Sequence, residues 1–403
     1  MKYNFDEIIP RRGTNSVKWD ETSEEGIIPL WVADMDFRTY PGIIDALKRR
    51  VEHGIFGYTH VPSSYYHKII DWFSQRHGWQ GIHQDDIIYT SGVVPAISAI
   101  IRGLTLPGDK VLIQTPVYNC FFSCIRNQGC LIEDSPLVRY CINDKTPFEA
   151  QVANEGKSYC QTFSYEVDWD RFEDACADPR VRLFLLCNPH NPAGRVWTKD
   201  ELQRMGEICL KHHVFVIADE IHCELVMPGH KYTPFASISK EFFYNSATCV
   251  SPTKGFNIAG LQIANIIVPD EEKRERIDRA INLHEICDVN PFGVIALQEA
   301  YTEGGAEWLD QLNAYIQNNY QLLCASFPQY SIALLEGTYL AWMDISGSGK
   351  LSPQFVDNLF RHQHVLLNGG EMYGDNTGKY VRINLACPRS ILEQAIDAIQ
   401  KVL

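Results

Sequence analysis

The sequence predicts an α/β fold with a mostly parallel sheet covered by helices on both faces, together with a smaller α+β domain. Short apolar runs end at polar groups in three places, and between about residues 50 and 285 such runs alternate with helical patterns. Runs this short and apolar are typical of buried parallel strands, and their alternation with helices favours a sheet enclosed by helices. At 403 residues the chain is too long for one simple core. Two domains are therefore expected.

The elements are expected in the following order along the chain. Residues 1–48 form an N-terminal arm and part of the small domain, residues 49–285 the large domain, and residues 286–403 the C-terminal small domain. The segment 140–166 lacks clear periodicity; a surface excursion is favoured there, and a lid or a dimer-contact element is the alternative. The expected strands are 87–89, 110–113, 183–186, 214–217, 247–250, 339–345 and 380–385, and the expected helices include 43–51, 94–104, 121–127, 199–212 and one from 390.

Three polar groups stand just beyond three of these apolar runs. Asn191 follows the run 183–186, Asp219 follows 214–217 and Lys254 follows 247–250, so that 28 residues separate the first two and 35 the last two. In open α/β sheets, ligands bind at the carboxyl ends of the strands. An amide, a carboxylate and a lysine at one edge of one sheet make a site for a pyridoxal phosphate ring.

The lysine and the carboxylate suit the chemistry of that cofactor. A Schiff base needs an amine that can lose its proton near neutrality, and the freed amine of Lys254 could then remove the Cα proton of a substrate. Asp219 follows four apolar residues, a costly position for a carboxylate without a cationic partner, and a protonated pyridine nitrogen would be such a partner. The alternatives are an ordinary surface lysine and a structural salt bridge.

Composition excludes several other classes of protein. The chain is 45% apolar and 21% charged, with a net charge of −14, which disfavours nucleic acid or an anionic membrane as the main partner. No apolar run approaches the roughly 18 residues of a membrane span, and the N-terminus lacks the pattern of a signal peptide, so a cytoplasmic location is expected. The 13 cysteines form no CxxC pair, and neither a disulfide framework nor a metal site is expected. Cys209, Cys249 and Cys287 lie in apolar stretches and are most simply buried reduced thiols.

Five segments form distinctive sequence motifs: WVADMDF at 31–37, GIFGYT at 54–59, CNPHNPAGRVW at 187–197, DEIH at 219–222 and FNIAGLQ at 256–262. Together with the three polar groups they resemble the fold-type I pyridoxal-phosphate enzymes, the aspartate aminotransferase superfamily of class I/II. Within it they resemble the MalY/PatB-type cystathionine β-lyase, or carbon–sulfur lyase, branch. The resemblance runs from about Asn15 to Arg389. It implies the PLP-dependent transferase-like fold, with a seven-stranded large-domain sheet.

The resemblance implies roles for residues around the cofactor ring. Asn191 would contact the phenolic oxygen of the ring, and Tyr118 would stack on the ring. His222 stands where aspartate aminotransferases commonly have a tyrosine, so it would take over that residue's contact to the phenolic oxygen. Core packing of Tyr118 and a turn-forming role of Asn191 are the alternatives.

The cofactor phosphate would be held at several points. Gly92 and Val93 open a helix after a strand, and backbone N–H groups at a helix N-terminus suit a dianion. The hydroxyl of Ser251 resembles a phosphate ligand of the superfamily. Gln262 stands where many relatives have an arginine, so the phosphate must rely more on the helix end. Tyr58 matches a tyrosine that reaches the phosphate from the partner subunit, which implies a homodimer with a shared active site.

Substrate recognition and reaction follow from the same resemblance. Arg382 offers a planar fork for the α-carboxylate of a small amino-acid substrate, and the backbone at Ala33 completes the clamp. The implied activity is α,β-elimination from cystathionine, cysteine or other S-substituted cysteines to a thiol, pyruvate and ammonia. One cofactor supports many reactions, so an aminotransferase of the same fold is the alternative. A regulatory protein that binds a transcriptional activator while retaining lyase activity is a third interpretation.

Overall fold

A computed structural model describes residues 3–142, 161–284 and 289–403. Its helices are α1 Val17–Asp20, α2 Pro41–His53, α3 Ser63–His77, α4 Val93–Leu104, α5 Cys120–Arg126, α6 Trp169–Ala177, α7 Lys199–Lys211, α8 Lys240–Tyr244, α9 Glu271–Ile281, α10 Pro291–Ala300, α11 Glu303–Ser326, α12 Ser352–Gln363 and α13 Arg389–Gln400. Its strands are β1 Ile28–Pro29, β2 Ile87–Thr90, β3 Lys110–Ile113, β4 Leu131–Asp134, β5 Val138–Cys141, β6 Thr162–Glu166, β7 Val181–Cys187, β8 Phe215–Asp219, β9 Ser246–Val250, β10 Ala264–Ile267, β11 Ser331–Ala333, β12 Leu340–Asp344, β13 Val365–Leu366, β14 Asn368–Gly369 and β15 Tyr380–Asn384.

The larger sheet has seven strands in the order β2-β10-β9-β8-β7-β3-β4. Strands β4, β3, β7, β8 and β9 run parallel to one another, and β10 is antiparallel to both β9 and β2. The expected mostly parallel sheet is therefore confirmed, with one reversed strand that the alternation of runs does not indicate.

The apolar runs of the central strands are continuous because both faces of this sheet are covered. Along β7, Leu183 and Leu185 pack in the core beneath α4 and α5, whereas Phe184 and Leu186 pack in the core beneath α6 and α7. Successive strand residues point to opposite faces, so burial on both sides removes the polar alternation of a half-exposed strand.

A second sheet of six strands has the order β14-β15-β12-β11-β6-β5. Strands β5 and β6, which come before β7 in the chain, join it through the parallel pairing of β6 with β11. Of the segment 140–166, residues 143–160 lie outside the described residues, so the choice between a surface excursion and a lid is not addressed. The division of the chain at residues 48 and 285 stays a prediction.

The cysteines and the helices bear on two further expectations. Ten described cysteines are free, eight of them buried. Cys209 and Cys249 are among the buried free cysteines, as expected, and Cys287 lies outside the described residues. Cys141, at the end of β5, is disulfide-bonded, a bond that the sequence did not indicate. None of the described helices is long and apolar enough to cross a membrane.

Candidate active site

The three polar groups meet at the carboxyl edge of the seven-stranded sheet, as expected. In the strand register Cys187 lies beside Asp219, and Asp219 lies beside Cys249. Strands β7, β8 and β9 therefore end level with one another. Asn191 and Lys254 follow in the turns after β7 and β9, so local strand length and parallel pairing alone bring these side chains together.

A cavity of about 200 Å³ opens at this edge. Eight of the expected site residues line it: Ala33, Gly92, Val93, Tyr118, Asn191, Asp219, His222 and Lys254. Arg382 touches this group through Asn191, to which its Nη1 donates at 3.2 Å. Ser251 and Tyr58 are not among the lining residues, and both are considered below.

Lys254 donates from Nζ to the carbonyl of Ala33 at 2.6 Å. Burial and the nearby Arg382 guanidinium lower the pKa of Lys254 to about 8. No ion pair joins it to Asp219 within the described ranges. The amine is therefore able to lose its proton near neutrality, as Schiff-base formation requires.

Asp219 is only 4% exposed, and within the described part of the chain its carboxylate accepts one hydrogen bond, from the Ile221 N–H at 3.2 Å. Burial raises its pKa to about 7, against the opposing effects of that hydrogen bond and of Lys254. A buried carboxylate with so few partners is costly unless a cation completes it. Asp219 thus provides an acceptor aimed at a cationic group such as a protonated ring nitrogen.

His222 is buried beside these groups, and burial together with the Lys254 and Arg382 charges lowers its pKa to about 3. The imidazole is therefore neutral at physiological pH. Its Nδ1 has no partner among the described residues, and its ring meets Tyr339 edge to face at 6.0 Å. An unpartnered buried nitrogen on a side chain that lines the cavity suits a polar atom on a bound ring.

The part of the cavity lining at the start of α4 suits an anion. Gly92 is the N-cap of α4, and the first N–H groups of a helix lack partners within the helix. Ser91, Thr253 and Gln262 also line the cavity. The hydroxyl of Ser251 instead donates to the Ile263 carbonyl at 2.6 Å and lies 2.7 Å from the Thr253 hydroxyl, so Ser251 supports Thr253 in this structure.

Arg382 comes from β15 and is 4% exposed. Besides Asn191, it donates from Nη2 to the Trp31 carbonyl at 2.9 Å, and its guanidinium lies 5.1 Å from the centre of the Tyr373 ring. Its Nε has no partner among the described residues. A fixed guanidinium with donor capacity left over is suited to bind a carboxylate.

Tyr58 lies outside the cavity and is 95% exposed in the single chain. Ile55 and Phe56 beside it are more than half exposed as well. Such a run of exposed apolar side chains is typical of a surface that another chain covers.

Two further residues, one in the cavity lining and one beside it, were not identified from the sequence. Thr253 lines the cavity, and its position directly before Lys254 was the signal by which the sequence could have identified it. Tyr339 donates to the Ala33 carbonyl at 2.8 Å, and its burial raises its pKa. Its position at the start of a strand gave no indication of this contact.

The residues present fit pyridoxal phosphate. The cavity offers a deprotonatable lysine, an under-partnered carboxylate, a neutral imidazole with a free nitrogen and a helix N-terminus. Each of these is left incomplete by the protein and matches one part of that cofactor: the aldehyde, the ring nitrogen, the phenolic oxygen and the phosphate.

Comparisons with known proteins cover the whole chain. Residues 25–399 match the model of the family "Aminotransferase class I and II". Cystathionine beta-lyase PatB of Bacillus subtilis is 38% identical, over 99% of this chain and 100% of its own. The structure of cystalysin from Treponema denticola, which contains pyridoxal 5'-phosphate, has a TM-score of 0.90 and 33% identity over 100% and 99% of the two chains. The PLP-bound C-S lyase from Staphylococcus hominis has a TM-score of 0.86 and 31% identity over 99% and 98%.

Proposed function

The chain belongs to the aminotransferase class I and II family, and from that premise we propose that it is a pyridoxal-phosphate-dependent carbon–sulfur β-lyase. The observation that carries the reaction is the similarity, over nearly the full length of both chains, to proteins described as a cystathionine β-lyase and a C-S lyase. The substrate is cystathionine, cysteine or another S-substituted cysteine. The site also resembles that of aminotransferases, but this resemblance concerns the cofactor, which elimination and transamination have in common.

The overall reaction is an α,β-elimination. The substrate loses its Cα proton and a thiolate from Cβ, and water then converts the remaining three-carbon fragment into pyruvate and ammonia. When bound, pyridoxal phosphate supplies an electron sink that stabilises negative charge at Cα.

Lys254 is the proposed catalytic base and cofactor anchor. With a pKa of about 8, its amine is partly unprotonated near neutrality and can accept the Cα proton. Asp219 would hold the cationic ring nitrogen, which compensates its own buried charge. Asn191 and His222 would contact the phenolic oxygen, and Tyr118 would lie against the ring.

Two groups would hold the substrate's α-carboxylate. Arg382 is fixed by Asn191 and by the Trp31 carbonyl and keeps its Nε free of partners among the described residues. The Ala33 N–H likewise has no acceptor within that part of the chain, and Ala33 lines the same cavity as Lys254. A charged fork and a backbone donor suit a carboxylate whose Cα must lie beside the lysine.

The decisive experiment follows the products from L-cystathionine without any added keto acid. Elimination predicts pyruvate, ammonia and free thiol accumulating together over many turnovers. An aminotransferase would convert one equivalent of cofactor and then stop until a keto acid is added, and that result would overturn the proposal. Lys254→Ala should lack both the visible absorbance of lysine-bound cofactor and the products, whereas the exposed Lys48→Ala should retain both.

We also propose that the enzyme is a homodimer in which Tyr58 completes the partner's site. The exposed run of Ile55, Phe56 and Tyr58 supports a surface covered by a second copy. In a mixed dimer with Tyr58→Phe and Lys254→Ala, a shared site predicts that activity depends on whether the two changes lie in the same chain. Equal activity of both pairings would contradict the shared site.

We propose a cytoplasmic location, because ten of the eleven described cysteines are free and free thiols persist in reducing compartments, whereas Cys141 is disulfide-bonded. The proposed domain division is a small-domain arm at 1–48, a large domain at 49–285 and a small domain at 286–403.

A further inference from the structure

Residues 31–36, here called the carboxylate loop, have no regular secondary structure. Each backbone carbonyl from Trp31 to Met35 nevertheless accepts a hydrogen bond from a side chain. Four of these carbonyls accept from side chains of the second sheet and its flanking turns. The Trp31 carbonyl accepts from Asn368 and Arg382. The Val32 and Asp34 carbonyls accept from Asn384, and the Ala33 carbonyl accepts from Tyr339. Lys254 and Asn257 of the large domain hold Ala33 and Met35. A loop without a ladder of its own can keep one conformation only through such external donors.

The N-terminal arm supplies the remaining donors, from Lys18 and Arg11. Lys18 Nζ donates to the Asp34 carbonyl at 3.1 Å and to the Asp36 carboxylate at 2.8 Å. Arg11 Nη1 donates to the Met35 carbonyl at 3.0 Å and to Asp36 at 2.8 Å. The arm thus binds residues 34–36 of the loop, directly after Ala33, through these hydrogen bonds.

The Lys18 side chain is completely buried, which is unusual for a lysine. A buried ammonium persists only with good partners, and Asp36 provides the charge. Asp36 in turn accepts from the Trp19 indole at 2.7 Å, so its carboxylate has three donors on the arm. These contacts bury Lys18 within the single chain.

The arm is built to present these donors. Ser16 caps α1, accepting from the Trp19 N–H at 3.4 Å, and its hydroxyl also accepts from Arg11 Nη2 at 3.0 Å. The short helix thereby places Lys18 and Trp19 toward Asp36, while Arg11 reaches the same carboxylate from outside the helix. Local capping and a buried ion pair together fix the arm on the loop.

We propose that Lys18, with Arg11 and Asp36, is a positioning residue that sets the Ala33 backbone for substrate binding. It acts through the loop and touches no reacting atom. Its removal would leave Asn384 as the remaining described donor to the Asp34 carbonyl and would leave Asp36 with fewer donors. The Ala33 backbone, with the N–H that we propose binds the α-carboxylate, would then be held less firmly. The inference rests on the proposed function only for the identity of that carboxylate.

The test compares Lys18→Met with Lys48→Met, the same change at an exposed lysine of α2. In Lys18→Met we expect the KM for L-cystathionine to rise about 10-fold or more, with kcat within about twofold of the wild type, because a charge-assisted hydrogen bond that supports binding is lost. Lys48→Met should match the wild type. An unchanged KM in Lys18→Met would overturn the proposal.

Amide hydrogen exchange on the full chain gives a readout that does not depend on turnover. Exchange in 31–36 should accelerate about 10-fold or more in Lys18→Met, with β7 and β8 unchanged. Unchanged exchange in the loop, or acceleration throughout the chain, would mean that Lys18 has no positioning role. This result stands even if the wild type makes no pyruvate, which would overturn only the proposed function.

Should Lys18→Met fail to fold, Arg11→Lys takes its place under the same criteria. Arg11 is partly exposed, and a lysine there keeps the charge but loses the fork that reaches Asp34, Met35 and Asp36 together. Faster exchange confined to 31–36 with a raised KM supports the proposal, and the absence of either effect overturns it.

Discussion

Asp219 and Glu224 are buried carboxylates five residues apart, yet the protein treats them in opposite ways. Glu224 accepts from Trp72 Nε1 at 2.7 Å, from Arg76 Nε at 2.8 Å and from His77 Nε2 at 2.8 Å. Those partners outweigh burial and lower its pKa to about 2. Asp219 has one backbone donor among the described residues, and burial raises its pKa to about 7.

The difference separates a structural group from a functional one. Glu224 is complete within the chain, and it ties α3 to the turn after β8. Asp219 is left incomplete at the edge of a cavity, where a ligand with a cationic atom would complete it. A perturbed pKa marks a functional site only when geometry leaves the group open to a ligand.

Glu224→Gln should produce the largest effect on stability. It leaves Arg76 and His77 facing a neutral amide, and removal of one member of a buried ion pair costs about 3 kcal/mol or more of the free energy of unfolding. Denaturant titration would measure it. Elimination activity per folded molecule should stay unchanged, and a parallel loss of activity would place Glu224 in the site.

Asp219→Asn should produce the converse effect. Loss of the fixed negative charge that would hold the ring nitrogen should lower the rate of elimination by about 100-fold or more. Stability of the cofactor-free chain should not fall, because a costly buried charge has been removed. Steady-state kinetics would measure the rate, with the exposed Asp310→Asn as the matched control. A loss of stability as large as that of Glu224→Gln would contradict the comparison.

In the cofactor-free chain, the two carboxylates should change the free energy of unfolding in opposite directions as pH rises. The folded pKa of Glu224 is depressed, so its contribution is present above its ordinary value of 4.5 and is lost as pH falls toward about 2. The folded pKa of Asp219 is raised, so its cost grows between its ordinary 3.8 and about 7 and is constant above that.

Subtracting each variant's unfolding free energy from that of the wild type across pH 3 to 8 would isolate these contributions, which should change by about 4 kcal/mol for Asp219 and by about 2 kcal/mol for Glu224 over that range. Differences of the same sign for Glu224→Gln and Asp219→Asn would show that the two carboxylates are not opposed.

The smallest expected effect concerns Lys254. The rate at which the cofactor-free chain binds pyridoxal phosphate covalently should rise with pH and level off above about 8, because only the unprotonated amine reacts. Arg382→Gln removes a nearby positive charge, so the midpoint should move upward, by less than about one pH unit. Rapid-mixing absorbance would follow the reaction, and a downward move would contradict the electrostatic origin of the shift.

The sequence predicted those parts of the site that local patterns determine. Apolar runs located β7, β8 and β9, and because parallel strands end at one edge, the meeting of Asn191, Asp219 and Lys254 followed. The family resemblance added Ala33 and Arg382, which the cavity and its contacts bring to the same place.

What was missed depends on contacts between distant segments. The hydroxyl of Ser251 is taken by Ile263, and the partners of Glu224 come from α3, more than a hundred residues earlier. The role of Lys18 depends on the path of the carboxylate loop. None of these contacts has a local periodicity or spacing by which the chain alone would reveal it.

The most direct test of the contrast between the two carboxylates is the gain in unfolding free energy that saturating pyridoxal phosphate produces in the wild type, in Asp219→Asn and in Glu224→Gln. A ligand that binds only the folded chain stabilises it according to its affinity. We expect equal gains in the wild type and Glu224→Gln and a clearly smaller gain in Asp219→Asn. A full gain in Asp219→Asn, or a gain lost in Glu224→Gln, would mean that the cofactor does not complete Asp219.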